Sequence, residues 1–590
     1  AKGGSRWIRA RTMALRTGIV VAVLAAAAGA AQARLEWVDP DTPDVQRTKR
    51  IGGVEHVLVF SDEFNVDGRT FKDGHDPKWT GLNGPVYTNE QYNAYNDSLA
   101  YTKGGNLILE TTNEDWVHPE LGLRHYQTAM LQTWDKFCFQ EGYVEIKARM
   151  PGRHDVGGLW PAFWLMGNLG RATFTYSTDG IWPFNYDYCP PDDERDANQW
   201  GTQRITACGK EGEGRGAPEI DIIEVQPGDF VYDYQYKIDQ GICPPVPESV
   251  LRNIATRQPF VSTSLQAAPG LPVDALERPT QGCLPTNFTA PDGTVREQYY
   301  PELYPSSENY GTVYGDGLQV AINYEFFGDE FTIDGQPLHT DAMSANTMLG
   351  KTHWDDFHQY QAHFKSGADG FMKFSLDGTT QLDLPASVVE APRPVTFSEA
   401  SGKQSGTLRG RRVPVEPMYL ILNVDLSPRW GWNFCPSDRC DCCADCKQSR
   451  CTTCIEVDAQ GNSYNSRQWL AELCDSLPAQ YEIDYVRVYQ PEDKVKVGCD
   501  PDDHPTREII AKDLNAYTPF RMDEPLVAVL PGGANCTLAD ELPCGDHGEC
   551  VRAEDADGDQ AWGTCACAKN WTGPRCLAPA AGGAPAFQDP

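Results

Sequence analysis

The sequence predicts an all-β fold made of two stacked, curved sheets. Short runs of β-branched and aromatic residues recur along the chain, with turn residues between them. Residues 142–150 alternate apolar and polar side chains strictly, as a half-exposed strand does. No long stretch carries the apolar periodicity of an amphipathic helix. These three observations place the chain in the all-β class.

The strand-like runs can be followed in order, separated by turn signals such as Lys103-Gly104-Gly105. Residues 167–215 are loop-like, rich in Asp, Gly and aromatic residues, and we expect them to wall a cleft. The last run alternates well enough to close a sheet. The predicted strands are 57–60, 89–92, 107–110, 142–150, 158–166, 219–224, 260–265, 318–324, 357–364, 418–424 and 481–489.

Residues 219–224 concentrate the acidic side chains, because three acids are separated there only by isoleucines. In a strand, Glu219 and Asp221 share one face and lie about 6–7 Å apart. Strict alternation places Glu224 on the opposite face. One extra residue at Ile222-Ile223 would turn it back, and we predict this β-bulge.

Three carboxylates on one face cannot all stay ionised, so one pKa rises while another stays low. Glycoside hydrolysis with retention needs this division, with an ionised nucleophile and a protonated acid about 5–5.5 Å apart. A strand of solvent-facing acids is the simpler alternative, but exposed strands rarely use isoleucine at every intervening position. We therefore predict a catalytic site at Glu219, Asp221 and Glu224.

Aromatic side chains would supply the surface on which sugar rings stack, while amides and acids bind the hydroxyl groups. Trp160 and Trp164 are four residues apart, so both line the cleft or both are buried in the core, and both alternatives stay open. His358 is weighed against an ordinary core or surface histidine. The predicted substrate-binding residues are Trp160, Trp164, Trp182, Asn89, His358, Trp430 and Trp432.

Composition limits the partners. The chain has 590 residues, too many for one ordinary domain, with 83 acidic against 50 basic residues and a formal net charge of −33. Without a basic stripe, nucleic acid is excluded as a partner. No cofactor and no metal are predicted.

Twenty cysteines indicate an oxidising compartment. Within a dense block at 435–474, the spacing Cys451-x-x-Cys454 also suits zinc, but disulfides are the preferred interpretation. Their connectivity cannot be deduced from the sequence. A second group predicts a small disulfide-stapled module; its members are Cys536, Cys544, Cys550, Cys565, Cys567 and Cys576.

The amino-terminal end supports the secretory pathway. An arginine-rich start precedes an apolar run at 18–31 and the small-x-small pattern Ala31-Gln32-Ala33. We predict a cleaved signal peptide over 1–33, followed at 34–50 by a linker or a strand lead-in. The product would then be extracellular or in the cell wall. Without cleavage the segment is a signal anchor, making a type II single-pass membrane protein of the ER, Golgi or plasma membrane.

Predicted glycosylation sites are Asn96, Asn287, Asn535 and Asn570.

Four motifs together resemble glycoside hydrolase family 16, the laminarinase and transglycosylase family. They are the acid triplet, Trp160-Pro161-Ala162-Phe163-Trp164, Phe60-Ser61-Asp62-Glu63-Phe64 and Asp484-Tyr485-Val486-Arg487-Val488-Tyr489. More narrowly, the chain resembles the β-glucan-synthesis-associated proteins of fungi and glucan-storing algae over about residues 51–520. The motifs behind this are Ser177-Thr178-Asp179-Gly180-Ile181-Trp182-Pro183, Gly214-Arg215-Gly216-Ala217-Pro218-Glu219, Ser264-Leu265-Gln266-Ala267-Ala268-Pro269, Val415-Glu416-Pro417-Met418-Tyr419 and Gly498-Cys499-Asp500-Pro501.

The resemblance implies a concanavalin/laminarinase-like β-jelly-roll sandwich with long loops and a concave glucan-binding face. It implies retaining chemistry on β-1,3- or β-1,6-linked glucan, in the synthesis or remodelling of cell-wall or storage glucan. Carried over by position, Glu219 is the nucleophile, Glu224 the general acid/base, and Asp221 tunes Glu219. The fungal relatives are usually type II membrane proteins with a longer span, and they lack this cysteine block.

The last module resembles an EGF-like domain, which the fungal relatives also lack. The motif of calcium-binding EGF modules is absent near Asn535, so no calcium is assigned. The predicted organisation is a catalytic domain at 51–495 with a Cys-rich insertion at 435–474, a family-specific extension and linker at 496–535, the EGF-like module at 536–576 and a disordered tail at 577–590.

The expected partner is a β-glucan polysaccharide or oligosaccharide, with a protein or wall partner for the EGF-like module. The sequence does not separate hydrolysis from transglycosylation, because acceptor subsites decide between water and sugar. The alternative function is a non-catalytic glucan-binding or assembly protein of the secretory pathway.

Overall fold

The structure is a computed structural model that describes most of the sandwich and the carboxy-terminal module. Not every residue of the chain is described. The described residues are 37–85, 88–119, 122–185, 215–226, 238–243, 245, 259–267, 287–289, 295–297, 320–323, 328, 330–333, 336–339, 341–391, 393–399, 402–408, 411–427, 430, 445–447, 456–457, 463–464, 472–518, 529–540, 542–553, 562–569 and 571–580.

Strands make up almost all of the regular structure. Those of the first half are β1 Thr48–Ile51, β2 Val54–Asp62, β3 Thr80–Gly81, β4 Gly84–Pro85, β5 Asn93–Tyr95, β6 Ala100–Lys103, β7 Asn106–Thr111, β8 Trp116–His118, β9 Gly122–Arg124, β10 Tyr126–Thr128, β11 Met130–Gln132, β12 Gly142–Arg149, β13 Trp160–Gly167, β14 Glu219–Gln226, β15 Phe260–Ala267, β16 Asn287–Thr289 and β17 Val295–Glu297. Those of the second half are β18 Val320–Ile322, β19 Glu330–Ile333, β20 Gln336–His339, β21 Asp341–Met348, β22 His358–Lys365, β23 Phe371–Leu376, β24 Thr379–Pro385, β25 Arg393–Glu399, β26 Gly402–Leu408, β27 Met418–Asp425, β28 Glu456–Val457, β29 Ser463–Tyr464, β30 Ala479–Pro491, β31 Asn535–Thr537, β32 Gly548–Arg552, β33 Trp562–Cys567, β34 Trp571–Thr572 and β35 Ala578–Pro579.

The α-helices of the described residues are short, as the sequence predicted. They are α1 Thr175–Thr178, α2 Thr352–Asp355, α3 Ala386–Val389 and α4 Arg507–Ala511. None of them combines the length and the apolar composition that a bilayer crossing requires. The predicted signal segment at 1–33 lies outside the described residues.

Two antiparallel sheets form a β-jelly-roll sandwich, which confirms the predicted fold class. The outer sheet has the order β1-β2-β30-β12-β22-β23-β24, with β7 pairing β30 and β6. The cleft sheet has the order β18-β21-β15-β14-β13-β27-β11-β3. Strands β14 and β22 approach each other across the core.

Alternating side chains explain the core between the two sheets. From the cleft sheet, Phe163, Leu165 and Ile220 are fully buried and pack in one cluster with outer-sheet residues such as Ile146 and Val488. The other face of the cleft sheet therefore carries the opposite set of side chains. That face holds the acid triplet.

Three predicted boundaries are wrong. Residues 37–50 are not a free linker but the alternative strand lead-in, because the buried Trp37 ring lies 5.6 Å from that of Phe137 and β1 begins at Thr48. The predicted strand at 89–92 begins in a 3-10 turn where Asn89 has φ of 57°. The predicted disordered tail at 577–590 begins with β35, which pairs with β34.

Residues 496–518 extend the sandwich rather than leave it. A disulfide joins Cys138 to Cys499. The ring of Tyr517 stacks on that of Trp134 at 5.4 Å and 10°, and its carbonyl accepts a 2.5 Å bond from Arg171. The first part of the predicted extension and linker is thus a structural layer.

Disulfides also define the carboxy-terminal module. They join Cys536 to Cys550, Cys544 to Cys565 and Cys567 to Cys576. The segment before the module touches the sandwich, since the Leu530 amide donates to the Gly74 carbonyl at 3.1 Å. The module itself packs beside it, because a Cβ atom added at Gly573 would lie 2.6 Å from the His75 carbonyl oxygen. In the predicted Cys-rich insertion, Cys446 pairs with Cys474, whereas Cys435, Cys440, Cys442, Cys443, Cys451 and Cys454 lie outside the described residues.

Candidate functional site

The predicted β-bulge is present in β14. Toward β13, Trp164 lies opposite Asp221 and the preceding Phe163 lies opposite Ile223, so Ile222 is the extra residue. The register with β15 shifts at the same place, between Asp221 and Glu224. This insertion changes the face of the residues that follow it.

The register shows that the three acids share one face. Glu219, Asp221 and Glu224 lie opposite Gln266, Ser264 and Ser262 of β15. These partners alternate along a regular strand, so they share a face. On the other side the same acids lie opposite Met166, Trp164 and Ala162. All three acids are buried, with 8%, 2% and 8% of their surface exposed.

Neutral donors hold the first two acids. The indole Nε1 of Trp182 donates to Glu219 Oε2 at 2.5 Å. The Gln266 amide Nε2 donates to Glu219 Oε1 at 2.7 Å and to Asp221 Oδ2 at 2.9 Å. The Ser264 hydroxyl also donates to Asp221. Each carboxyl group therefore has a fixed orientation on the cleft face.

Burial raises the pKa of Glu219 well above its usual value, and the negative charges of Asp221 and Glu224 raise it further. Burial also raises the pKa of Asp221, while the donors Ser264 and Gln266 oppose that rise. A hydrogen bond links the two carboxyl groups, which favours the proton on Glu219. The pair therefore shares a proton over a pH range in which ordinary carboxyl groups are ionised.

Trp160 and Trp164 lie on the acids' face of β13, because their cross-strand partners continue its alternation. Both are half-buried. The Trp164 indole donates to Asn423 Oδ1 at 2.8 Å. The ring of Trp160 lies 6.0 Å from that of Trp430. Of the two alternatives for this pair, the structure supports the cleft position.

The remaining predicted substrate-binding residues differ in position. Asn89 is exposed, and its carbonyl accepts a 2.5 Å hydrogen bond from Ser427, just beyond β27. Trp432 lies outside the described residues. His358 is in β22 of the outer sheet, where it contacts Asp377 at 2.7 Å. The prediction that His358 faces the cleft is therefore wrong.

Sequence reasoning missed Gln266 and Ser264 as site residues. Their alternation in the motif Ser264-Leu265-Gln266 could have revealed them, because β15 must pair with the acidic strand to bring them to the acids. It also missed how residues 496–518 support the loop carrying Trp182. Arg171 begins this loop, and its guanidinium lies 4.6 Å from the Trp134 ring on which Tyr517 stacks.

One group of potential metal ligands occurs within the described residues, formed by Cys536, Cys544 and Cys565. All three sulfurs belong to disulfides, which removes the thiolates that a metal requires. In the acid triplet, Glu219 and Asp221 accept hydrogen bonds from the neutral donors Trp182, Ser264 and Gln266.

Comparisons with known proteins agree with the resemblance. The protein named beta-glucan synthesis-associated protein KRE6 in Candida albicans is 30% identical over 505 residues, covering 82% of this chain and 53% of that protein. Its namesake in Saccharomyces cerevisiae is 30% identical over 501 residues, covering 82% and 54%. The chain thus spans about half the length of the curated relatives it matches.

Among solved structures, an endo-beta-1,3-glucanase from Pyrococcus furiosus shares 17% identity at a TM-score of 0.36, covering 75% of this chain and 98% of that one. At the level of whole families, residues 25–269 and 459–523 match the description "Beta-glucan synthesis-associated protein SKN1/KRE6/Sbg1". These two segments contain the acid triplet, the Trp182 loop and the extension that supports it. The chain belongs to the SKN1/KRE6/Sbg1 family of beta-glucan synthesis-associated proteins.

Proposed function

We propose that the chain is a retaining glycosidase or transglycosylase that acts on β-1,3- or β-1,6-linked glucan in glucan synthesis or remodelling. The observation that carries this proposal is the bulge at Ile222. It brings Glu224 onto the face of Glu219 and Asp221, beside half-buried tryptophans. The β-glucan synthesis family supports the substrate class.

In the proposed reaction, Glu219 attacks the anomeric carbon and Glu224 protonates the departing glycosidic oxygen. Glu219 must be ionised to attack, although burial raises its pKa. The hydrogen bond to Asp221 offers a route, because the shared proton can move to Asp221 without changing the net charge of the pair. Trp182 and Gln266 then stabilise the carboxylate through their N–H groups.

In the second step, Glu224 removes a proton from water or from a sugar hydroxyl, which then attacks the glycosyl-enzyme intermediate. Water yields hydrolysis and a sugar yields a longer glucan. Trp160, Trp164 and Trp430 would hold the glucan by stacking. Membership of a synthesis-associated family favours transfer.

The test is incubation of the full chain with reduced β-1,3- and β-1,6-gluco-oligosaccharides. We expect products longer than the input, which demonstrate transfer, and no such products with Glu219→Gln. Unchanged oligosaccharides, or equal activity of Glu219→Gln, would contradict catalysis and support a non-catalytic glucan-binding protein instead.

The proposal assigns catalysis to residues 51–495 and a separate role in protein or wall contact to the EGF-like module at 536–576. A secretory pathway location, extracellular or membrane-anchored, fits the five disulfides described above. Mapping these disulfides in the secreted protein tests that location.

A further inference from the structure

The three-stranded sheet of the carboxy-terminal module has one cysteine-bearing face and one outer face. In β33, Gly563, Cys565 and Cys567 alternate with Trp562, Thr564 and Ala566. The pairing order β31-β33-β32 continues this division across the sheet. The outer face consists of Asn535, Thr537, Glu549, Val551, Trp562, Thr564 and Ala566.

The outer face exposes large apolar side chains. Trp562 is 48% exposed and Val551 is 49% exposed, and Thr564 and Ala566 beside them are exposed as well. The module is held together largely by its disulfides, and an exposed tryptophan adds little to its folding free energy. We therefore expect the outer face to be covered by a ligand, and the residues on this face indicate which one.

A glycosylation tripeptide, Asn535-Cys536-Thr537, lies on this same face. Asn535 is opposite Thr564 and Thr537 is opposite Trp562, so Asn535 and Trp562 are diagonal neighbours. Such neighbours lie about 7–8 Å apart, within reach of long side chains. Asn535 is also exposed, which leaves room for a bulky substituent.

Asn96, another predicted glycosylation site, differs from Asn535 in the contacts of its side chain. The Asn96 side chain is half-buried, its Nδ2 donates to Gln127 Oε1 at 2.8 Å, and its Oδ1 accepts from the Ser98 amide at 3.0 Å. That amide group is occupied by contacts of the fold itself. Asn535 instead lies beside an apolar surface that a sugar ring can cover.

We propose that an N-linked glycan on Asn535 packs its first N-acetylglucosamine against Trp562 and covers the outer face. The transferase of the secretory pathway joins Nδ2 of Asn535 to the anomeric carbon of that sugar. The amide loses a proton, and a polyprenyl diphosphate leaves from the donor. The C–H face of the sugar then stacks on the indole while its hydroxyls remain in water. The proposal is independent of the catalytic function.

The experiment uses the full chain secreted from a eukaryotic host, with glycopeptide mass spectrometry at Asn535 and hydrogen exchange of strands β31–β33. We expect Asn535 to be occupied. Complete enzymatic removal of the glycan should accelerate exchange about fivefold, whereas trimming to the first sugar should not. Asn535→Gln, which adds no charge, should match complete removal.

Trp562 provides the coupling test. In Trp562→Ser, the amides of strands β31–β33 should exchange rapidly with or without the glycan. In Trp562→Tyr, glycan removal should accelerate their exchange as it does in the wild type. A thiol assay confirms that each variant retains its three module disulfides. An unoccupied Asn535, no effect of glycan removal on wild type, or an equal effect in Trp562→Ser would overturn the proposal. Retention of the glycosylated wild type, but not of glycosylated Trp562→Ser, on insoluble β-glucan would also overturn it by assigning the face to free glucan.

Discussion

Two groups of buried acids in the same sandwich differ in the direction of their pKa shifts, since the pKa of Asp62 is lowered and those of Glu219 and Asp221 are raised. In one, Arg69 donates to both oxygens of Asp62 at 2.7 and 2.8 Å and also to Asp76. In the other, neutral donors hold Glu219 and Asp221. Each group includes an indole N–H, from Trp79 to Asp62 at 2.9 Å and from Trp182 to Glu219.

The charge of the partner explains the difference. Burial raises the pKa in both groups, but the positive charges of Arg69 and Lys78 outweigh it and hold the pKa of Asp62 at about 2. Without such compensation, the pKa of Glu219 is raised. A buried acid that serves structure is neutralised by a cation, whereas a buried acid held by neutral groups keeps a proton available.

The largest expected effect is that of Glu219→Gln on catalysis. Losing the nucleophile should reduce kcat about 10⁴-fold or more. Unfolding should require as much free energy as in the wild type or more, because the substitution removes like-charge repulsion. Rates on reduced gluco-oligosaccharides and urea denaturation measure the two effects.

Asp135→Asn is the matched control. Burial raises the pKa of Asp135 to about 7, and this residue lies outside the acid triplet. Its substitution should leave kcat unchanged. A comparable loss of activity in both variants would show that buried charge in general, rather than the nucleophile, governs the rate.

Asp62→Asn should lower the free energy of unfolding, whereas Glu219→Gln should leave it unchanged or raise it. Removing one carboxylate leaves Arg69 undercompensated in the core and should cost about 3–5 kcal/mol of unfolding free energy. Urea denaturation measures this loss. Asp44→Asn is the control, because Asp44 pairs with Arg47 at the surface and should give no measurable change. Equal stability of Asp62→Asn and wild type would remove the contrast between the two groups.

Gln266→Met tests the neutral donors. It removes the amide that binds both Glu219 and Asp221, and hydrogen bonds to charged groups contribute about 1.5–3 kcal/mol. We expect kcat/KM to fall about 10–100-fold. The acidic limb of the pH profile should move to higher pH, because the pKa of the pair rises when its donor is lost.

Gln226→Met is the control for this shift. Gln226 is buried in β14, the strand of the three acids, and its Nε2 has no hydrogen-bond partner among the described residues. The acidic limb should stay in place. If the acidic limb also stays in place for Gln266→Met, the Gln266 amide does not set the pKa of the Glu219–Asp221 pair.

The smallest expected effect is the opposite pH dependence of stability in the two groups. Glu219 has a raised pKa, so its contribution is full below its unfolded value of about 4 and is lost as the pH rises through its folded pKa. Asp62 contributes fully above about 4, and this stability is lost as the pH falls toward 2. The advantage of Glu219→Gln should therefore grow toward neutral pH, while the deficit of Asp62→Asn should vanish in acid. Denaturation across pH with parallel curves for both variants would contradict this.

Sequence reasoning reached the acids because local chemistry determines them. The three carboxylates and their isoleucines require a bulge to share a face, and the bulge is present at Ile222. Prediction from the sequence failed where the outcome depends on which distant strands or cysteines pair in the fold. Periodicity identified the strand of His358 but not its sheet, and the Cys138–Cys499 disulfide joins cysteines 361 residues apart. Asn89 has the left-handed backbone of a turn rather than a strand.

Strand β30 has a consequence for biosynthesis. It lies between β2 and β12 in the outer sheet, although it is the last of the described sandwich strands to be made. A ribosome that has exposed only the first four hundred residues thus presents two strands whose shared neighbour does not yet exist. Completion of the sheet must wait until translation passes Pro491, and a nascent chain halted earlier depends on chaperones to keep these edges apart.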